Sequence, residues 1–332
     1  MQTKNRKINV KEILLKYNAV LILIILIVAS AVLSPVFLTA NNIFNILRQN
    51  TAILLISLGM LFVVLTGGID LSVGSIAAVG GMMISQTLVT WNFSSYLGVA
   101  VSVLITLVVG TALGSVSGFL VSYLKMAPFV VTLAMMTIAR GIAYLITNGQ
   151  PVRWSEMTKG VELMLSFGSE TLFGIPYPVI LAVIACVLFI VIAKYTVTGR
   201  LIIAIGSNQS AVTLAGINSK KYKFLVYAIS GFMSALGGIV MTCRSGTGTP
   251  MSGEGYELDA IAACVIGGAS LSGGKGTVGN TIIGVLVLGL ITNVMNLLSV
   301  PAYPQQIIKG IIILFAVLVQ SIDALRQSSF AE

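Results

Sequence analysis

The chain reads as an all-α polytopic membrane protein of about ten transmembrane helices with an internal pseudo-repeat, and three observations carry that reading. Its 332 residues are 57% hydrophobic and 9% charged, whereas a soluble domain carries roughly a quarter of its residues charged. Too little polar surface remains to cover a body in water. Long uncharged runs recur along the whole chain, the first from Tyr17 to Phe37, and about 18 apolar residues suffice to cross a bilayer. Finally, GGIDLSVG at Gly67 to Gly74 is echoed by GGASLSGG at Gly267 to Gly274, each between long apolar segments. Two related halves in a membrane are a common plan for moving a solute between them.

The elements follow in order. A tail of residues 1–16 carries Lys4, Arg6, Lys7, Lys11 and Lys16. A cleaved signal peptide would share this basic start, but no small-residue cleavage pattern stands out and equally long runs follow. Apolar segments fall at about 17–37, 44–66, 72–90, 96–123, 127–147, 176–193, 222–242, 257–272, 279–299 and 304–324. In hydrocarbon the backbone must satisfy its own hydrogen bonds, so these are helices rather than open strands. The 257–272 segment is short for a crossing and reads as a broken or tilted helix. The whole chain, 1–332, forms one transmembrane domain with a first half at 17–174 and a second at 175–332.

An even number of spans puts both termini on one side, and the basic residues say which. Thirteen of the nineteen fall on the side of the termini: the five of the tail with Lys125, Lys194, Arg200, Lys220, Lys221, Lys223, Lys275 and Arg326. The positive-inside bias makes that side cytoplasmic. Outside, the 148–175 connection mixes Arg153 and Lys159 with Glu156, Glu162 and Glu170, and has room for a short amphipathic helix. The other external stretch, CRSGTGTPMSGEGY from Cys243 to Tyr256, is too rich in Gly, Ser, Thr and Pro for a stable helix. Inside, Gln209 to Ala215 fits two helical turns capped by Ser207 or Asn208 and stopped at Gly216. Flanked by Arg200, Lys220, Lys221 and Lys223, such a helix suits either an anionic lipid surface or a soluble partner subunit.

Within the repeated peptide, Gly67 and Gly68 permit a turn or a close approach, and Asp70 and Ser72 can accept N–H bonds at a helix start. The second copy keeps Gly267, Gly268, Leu271, Ser272 and Gly274 but places Ser270 where the first has Asp70. A carboxylate near a membrane turn invites a proton or sodium relay, although capping accounts for it as well. Arg140, Arg48 and Lys309 lie in or beside apolar segments, where snorkelling or interhelical bonding explains a charge. Arg140 is the first candidate to line a pathway. Asn293 and Asn296, three apart on one helical face, are further candidates, with helix-to-helix hydrogen bonding as the alternative.

Enzyme chemistry finds little support. The chain has no histidine, which removes the commonest general base and most zinc or haem ligation. Cys186, Cys243 and Cys264 lack metal-ligand spacing and read as small buried residues. Lys275 in SGGKGT misses the phosphate-loop pattern because Gly276, not Ser or Thr, follows it. No catalytic residue, cofactor, metal or nucleic-acid partner is expected. If ATP powers the protein, another chain must bind it.

With these features in place, the sequence resembles the permease subunits of the ribose, galactose and arabinose type of ATP-binding-cassette sugar importers. The segments that carry the likeness are LTGGIDLSVGS at Leu65 to Ser75, TGRLIIAIGSNQSAVTLAGIN at Thr198 to Asn218, YAISGFMSALGGI at Tyr227 to Ile239, and EGYELDAIAACVIGGASLSGGKGTVGN at Glu254 to Asn280. The resemblance implies the importer permease fold in a bacterial plasma membrane, paired with a second copy or a related permease around one pathway. It implies a cytoplasmic ATPase docking on the coupling loop 195–221, and an extracytoplasmic sugar-binding protein delivering a ribose-like monosaccharide; allose and autoinducer-2 are the alternatives. By matching motif, the coupling position falls on Gly206, Asn208, Ala211, Ala215, Gly216, Lys220 and Lys221. The signature turns fall on Gly67, Gly68, Asp70, Ser72 and Gly74, and on Gly267, Gly268 and Gly274. Glu254, Glu257 and Asp259 form an acidic block of architectural or partner-facing role. An ion-coupled secondary transporter is the rival from a different class.

Overall fold

The structure is a computed structural model that describes residues 18–328 apart from 94, 156 and 157. The tail 1–16 and Glu156 therefore lie outside the described residues. Helices α1 (Asn18–Leu33), α2 (Ala40–Leu65), α3 (Val73–Ser85), α4 (Tyr96–Ser122) and α5 (Pro128–Leu145) build the first half. A π-helical turn, Gln86–Thr90, prolongs α3. The second half follows a short helix, α6 (Lys159–Ser169), and comprises α7 (Tyr177–Tyr195), α8 (Val197–Ser207), α9 (Gln209–Leu214), α10 (Ser219–Ser245), α11 (Tyr256–Ile266), α12 (Val278–Leu297) and α13 (Ala302–Ser328).

The expected ten crossings need correction. Among the described residues, seven helices are long and apolar enough to span a membrane: α2, α3 with its π turn, α4, α5, α7, α10 and α12. Pro35 disfavours helix at the residue before it and lacks an N–H to continue one, so α1 stops at Leu33 after 16 residues. At 257–272 only α11 is helical, and its 11 residues make roughly half a crossing at 1.5 Å each. Gly253 and Gly255, both at positive φ, turn the chain before it; Gly268, also at positive φ, turns it after. The last segment falls in α13, only the first part of which has described side chains.

At the centre stand α3 and α10. Every residue of α3 except Met83 is buried. Gly110, Gly114 and Gly118 recur at every fourth position of α4 and face α10, where a side chain on Gly114 would strike the Tyr227 carbonyl and the Gly231 backbone. Small residues at this spacing let helices approach within backbone contact, which is how membrane helices gain packing energy when lipid is as apolar as they are. On the other flank of α10, Gly238 meets the Ala77 carbonyl of α3.

Two non-helical stretches penetrate this bundle. Ser230 of α10 packs on Gly59 and donates its hydroxyl to Asp70. Gly59 lies six residues before the end of α2, about 9 Å at 1.5 Å per residue. The segment from Gly67 to Ser72 thus climbs back beside α2 before α3 begins. Residues 246–255 enter from the end of α10 and reach the start of α3, where the Gly253 carbonyl lies against Gly74. Irregular backbone at membrane depth is tolerated where protein encloses it, and Gly68, Asp70, Leu71, Ser72, Pro250 and Gly253 are all buried.

The connections after α5 and after α10 are stitched together. Strand β1 (Val152–Arg153) pairs antiparallel with β4 (Thr247–Gly248), and Trp154 donates its indole N–H to the Ser85 hydroxyl at 3.0 Å. A second small pair, β2 (Thr171–Leu172) with β3 (Ile175–Pro176), closes the loop after α6. The amphipathic helix expected at 148–175 is α6, with Val161 and Met164 turned inward. All three cysteines are free and buried.

Candidate functional site

The two signature turns share one local geometry. After α2, Gly67 takes φ +74°; its N–H donates to the Val64 carbonyl and that of Gly68 to Val63. After α11, Gly268 takes φ +81°, its N–H donates to Val265 and that of Ala269 to Cys264. Both are left-handed glycine stops in which two otherwise orphaned helix carbonyls are satisfied. The structural match is therefore Gly67 with Gly268, one residue out of the register that the sequence alignment of Gly67 with Gly267 implies. Gly267 instead keeps a helical φ of −69° and packs tightly on the Asn280 backbone.

The turns also touch. Gly274 donates its N–H to the Leu65 carbonyl at 3.0 Å, and Gly67 lies against the Ser272 carbonyl. Gly206, near the end of α8, is wedged between them: a side chain there would collide with the Leu65 carbonyl and the Gly274 N–H. Of the glycine-rich loop's amides, Gly273 donates to Ser270 and Gly274 to Leu65. Two donors of the kind a phosphate cradle uses are thus spent inside the protein.

From this junction the chain emerges into α9, the short helix anticipated at the cytoplasmic side. Asn208 caps it, its side-chain oxygen accepting from the Ala211 N–H at 2.9 Å. Gly216 stops it at φ +79°, with the Ile217 N–H donating to Val212. Only Val212 is buried; Ala211, Leu214, Ala215 and Gly216 are exposed, as are Lys220 and Lys221 on the first turn of α10. Lys223 donates to the Gln209 side chain at 2.7 Å, tying α9 to α10.

Asp70 is wholly buried. Its Oδ1 accepts from the N–H and hydroxyl of Ser72 at 3.0 and 2.5 Å, and its Oδ2 from the Ser230 hydroxyl at 2.8 Å. Ser72 thus donates to Asp70 instead of capping α3 with its own side chain. The Tyr227 hydroxyl donates to the Ile69 carbonyl at 3.4 Å and sits against Gly68, where any side chain would displace it. Asp70 therefore pins the climbing segment to α10.

The pathway candidates separate. Arg140 donates to the Pro250 and Ser252 carbonyls, at 2.5 and 2.9 Å, and lines an open cavity of about 530 Å³ together with Ser75, Thr137, Glu254 and Glu257. Gly74 leaves room there for the Gly253 carbonyl and the Glu257 carboxylate. Asn293 is buried in a reciprocal amide pair with Asn42, at 2.9 and 3.1 Å, which is the helix-to-helix bonding that competed with a pathway role. Asn296 is exposed and accepts from Gln305 at 2.9 Å. Sequence reasoning missed Ser75 and gave Lys309 only a bland role. Lys309 forms an ion pair with Asp259 at 3.0 Å, and the clue available was a lysine and an acid each a few residues inside an apolar segment.

The same segments carry the likeness to known proteins. Residues 42–317 match the family described as branched-chain amino acid transport system / permease component. The chain belongs to this permease family. It is 41% identical over 318 residues to the ribose import permease protein RbsC of Haemophilus influenzae, covering 96% of this chain and 97% of that one. The protein of that name from Bacillus subtilis is 40% identical over 318 residues, 96% of each. The L-arabinose ABC transporter permease protein AraH of Azospirillum brasilense is 36% identical over 307 residues, 92% of this chain and 88% of that one. No solved structure matches. The permease is thus the membrane-embedded transport component of an importer and not a catalyst.

Proposed function

We propose that this permease carries ribose, or a monosaccharide close to it, into the cell. It would do so as one of two permease copies, in an assembly with a cytoplasmic ATPase and an extracytoplasmic sugar-binding protein. The observation that carries the reading is identity at 40 to 41% with ribose import permeases over nearly the full length of both chains. Arabinose is the second reading, favoured by the 36% identity to an arabinose permease.

The mechanism is alternating access. An ATPase that closes on ATP displaces the exposed helix α9, and Gly206, three residues before its start, is wedged on both signature turns. Because Gly206, Leu65 and Gly274 meet through backbone, that displacement reaches α2 and the α11–α12 loop with no flexible side chain between to absorb it. Asp70, tied to Ser230, passes it on to α10. The orientation has α9 in the cytoplasm, in keeping with the positive-inside bias of the basic residues that flank it.

Reconstitution tests this. Vesicles holding the permease, its ATPase and the ribose-loaded binding protein should accumulate ribose only when ATP is supplied, with no response to an uncoupler. Concentrative uptake by the permease alone would overturn the reading.

A further inference from the structure

Six polar side chains from four separate elements meet on one face between α5 and α13, at the depth where the segment 246–255 ends. Ser75 comes from the first turn of α3 and Arg140 from α5; Glu254, Glu257 and Asp259 flank the start of α11, and Lys309 comes from α13. Glu254 and Glu257 form a shared wall. On one side lies the cavity of about 530 Å³ with Ser75 and Arg140; on the other lies one of about 490 Å³ with Asp259 and Lys309. Asp259 and Asn50 line a common third cavity, and Asn50 is ten residues into α2, about 15 Å from its start. The side chains above and below on these helices, Leu133, Ile138 and Leu145 on α5 and Ile307, Ile311 and Leu314 on α13, are apolar and exposed. Charge at this depth is expensive and faces either a partner group or a water-filled route.

Part of this charge has partners. Asp259 and Lys309 neutralise each other, and Arg140 is held by two backbone carbonyls. Two groups differ. The Ser75 hydroxyl, in a residue 1% exposed, and the Glu257 Oε2 have no hydrogen-bond partner among the described residues, and both residues line the larger cavity. A buried polar atom without a partner is costly, because its hydration is lost and nothing replaces it. That cost is removed by a ligand offering hydroxyl groups.

We propose that this ledge is a contact station for the sugar on its way through the permease. Glu257 and Glu254 accept hydrogen bonds from hydroxyls of a neutral polyhydroxylated solute, and Ser75 donates to or accepts from another. Arg140 and the Asp259–Lys309 pair position the acidic wall. The contact is brief by design, since tight binding inside a pathway slows release. Gly74, the last glycine of the first signature turn, admits the Glu257 carboxylate, so the ledge joins the two repeats.

The proposal rests on the sugar-import reading, and the test separates the two. In vesicles holding the complete assembly with ribose-loaded binding protein, Glu257→Gln should lower the ribose moved per ATP hydrolysed at least ten-fold and Ser75→Ala at least three-fold. Wild-type vesicles that accumulate no ribose would defeat the import reading and the ledge with it. Wild-type transport with both variants at the wild-type ratio would defeat the ledge alone. A second measurement stands should either variant fold poorly. Met251, exposed on the cavity wall, is replaced as Met251→Cys, the three native cysteines being buried. Alkylation of this site should slow several-fold with D-ribose at high millimolar concentration and not with sodium chloride of equal osmolarity. Equal rates in both would overturn the contact.

Discussion

Gly274 donates its N–H to the Leu65 carbonyl at 3.0 Å, so the end of the long helix in the first half and the glycine-rich loop of the second form one junction. Gly206 fills the gap beside that bond, and a single methyl group there has nowhere to go but into backbone. Overpacking of this kind costs about 1–3 kcal/mol. Gly206→Val should therefore lower the thermal midpoint of the purified permease by several degrees and impair ribose uptake more strongly than ATP hydrolysis. Wild-type stability together with wild-type uptake would show that the junction is looser than its geometry.

Asp70 and Ser230 supply a second test, which bears on the ion-coupled alternative. Both carboxylate oxygens of Asp70 accept hydrogen bonds from serine groups in a fully buried setting. Groups in one buried network couple by about 0.5–3 kcal/mol. Asp70→Asn and Ser230→Ala should each destabilise the protein, and the double variant should lose less than the two losses added. An additive pair would remove Asp70 from the network. If the carboxylate were instead a relay, Asp70→Asn would abolish uptake driven by a proton or sodium gradient while leaving stability intact.

The local chemistry was legible in the sequence, and the long-range geometry was not. Asn208 as cap and Gly216 as stop of α9 follow from rules that act within one turn of helix, and the structure shows both. The register of the repeat slipped because each turn offers two adjacent glycines, either of which can take a left-handed φ. In the first half it is Gly67 and in the second Gly268. Counting ten crossings failed for a related reason. Hydropathy cannot see that Pro35 ends α1 early or that glycines at 253 and 255 deliver the chain to α11 partway down the bundle. Asn293 was a candidate pathway residue on spacing alone, and its partner Asn42 lies 251 positions away.

That amide pair carries its own prediction. Asn42 also donates to the Phe37 carbonyl at 2.9 Å, so it serves the break between α1 and α2 while its other bonds reach α12. Interhelical hydrogen bonds in membrane proteins contribute about 0.6 kcal/mol on average and up to roughly 1.7. Asn293→Ala should lower stability by about that much and leave the KM for ribose unchanged within error. A shift in KM at preserved stability would restore Asn293 to the pathway.

The coupling assignment is tested where α9 meets solvent. Gly216 takes a φ of +79°, and a Cβ added there meets nothing within 4 Å, so the cost of a valine lies in backbone strain, at about 1–2 kcal/mol. Gly216→Val should fray the end of α9 without affecting insertion. Lys220→Glu with Lys221→Glu reverses two exposed charges on the adjoining turn and leaves the bundle interior untouched. If α9 receives the ATPase, both changes should reduce ribose accumulated per ATP several-fold, and the charge reversal should also weaken co-purification of the ATPase in a salt-sensitive way. If the lysines instead hold only anionic lipid, the reversal changes the affinity for anionic vesicles, co-purification stays at the wild-type level, and the coupling ratio does not move. Because the charge change is the same in both cases, the ATPase recovered with the permease discriminates between a lipid anchor and a transmission helix.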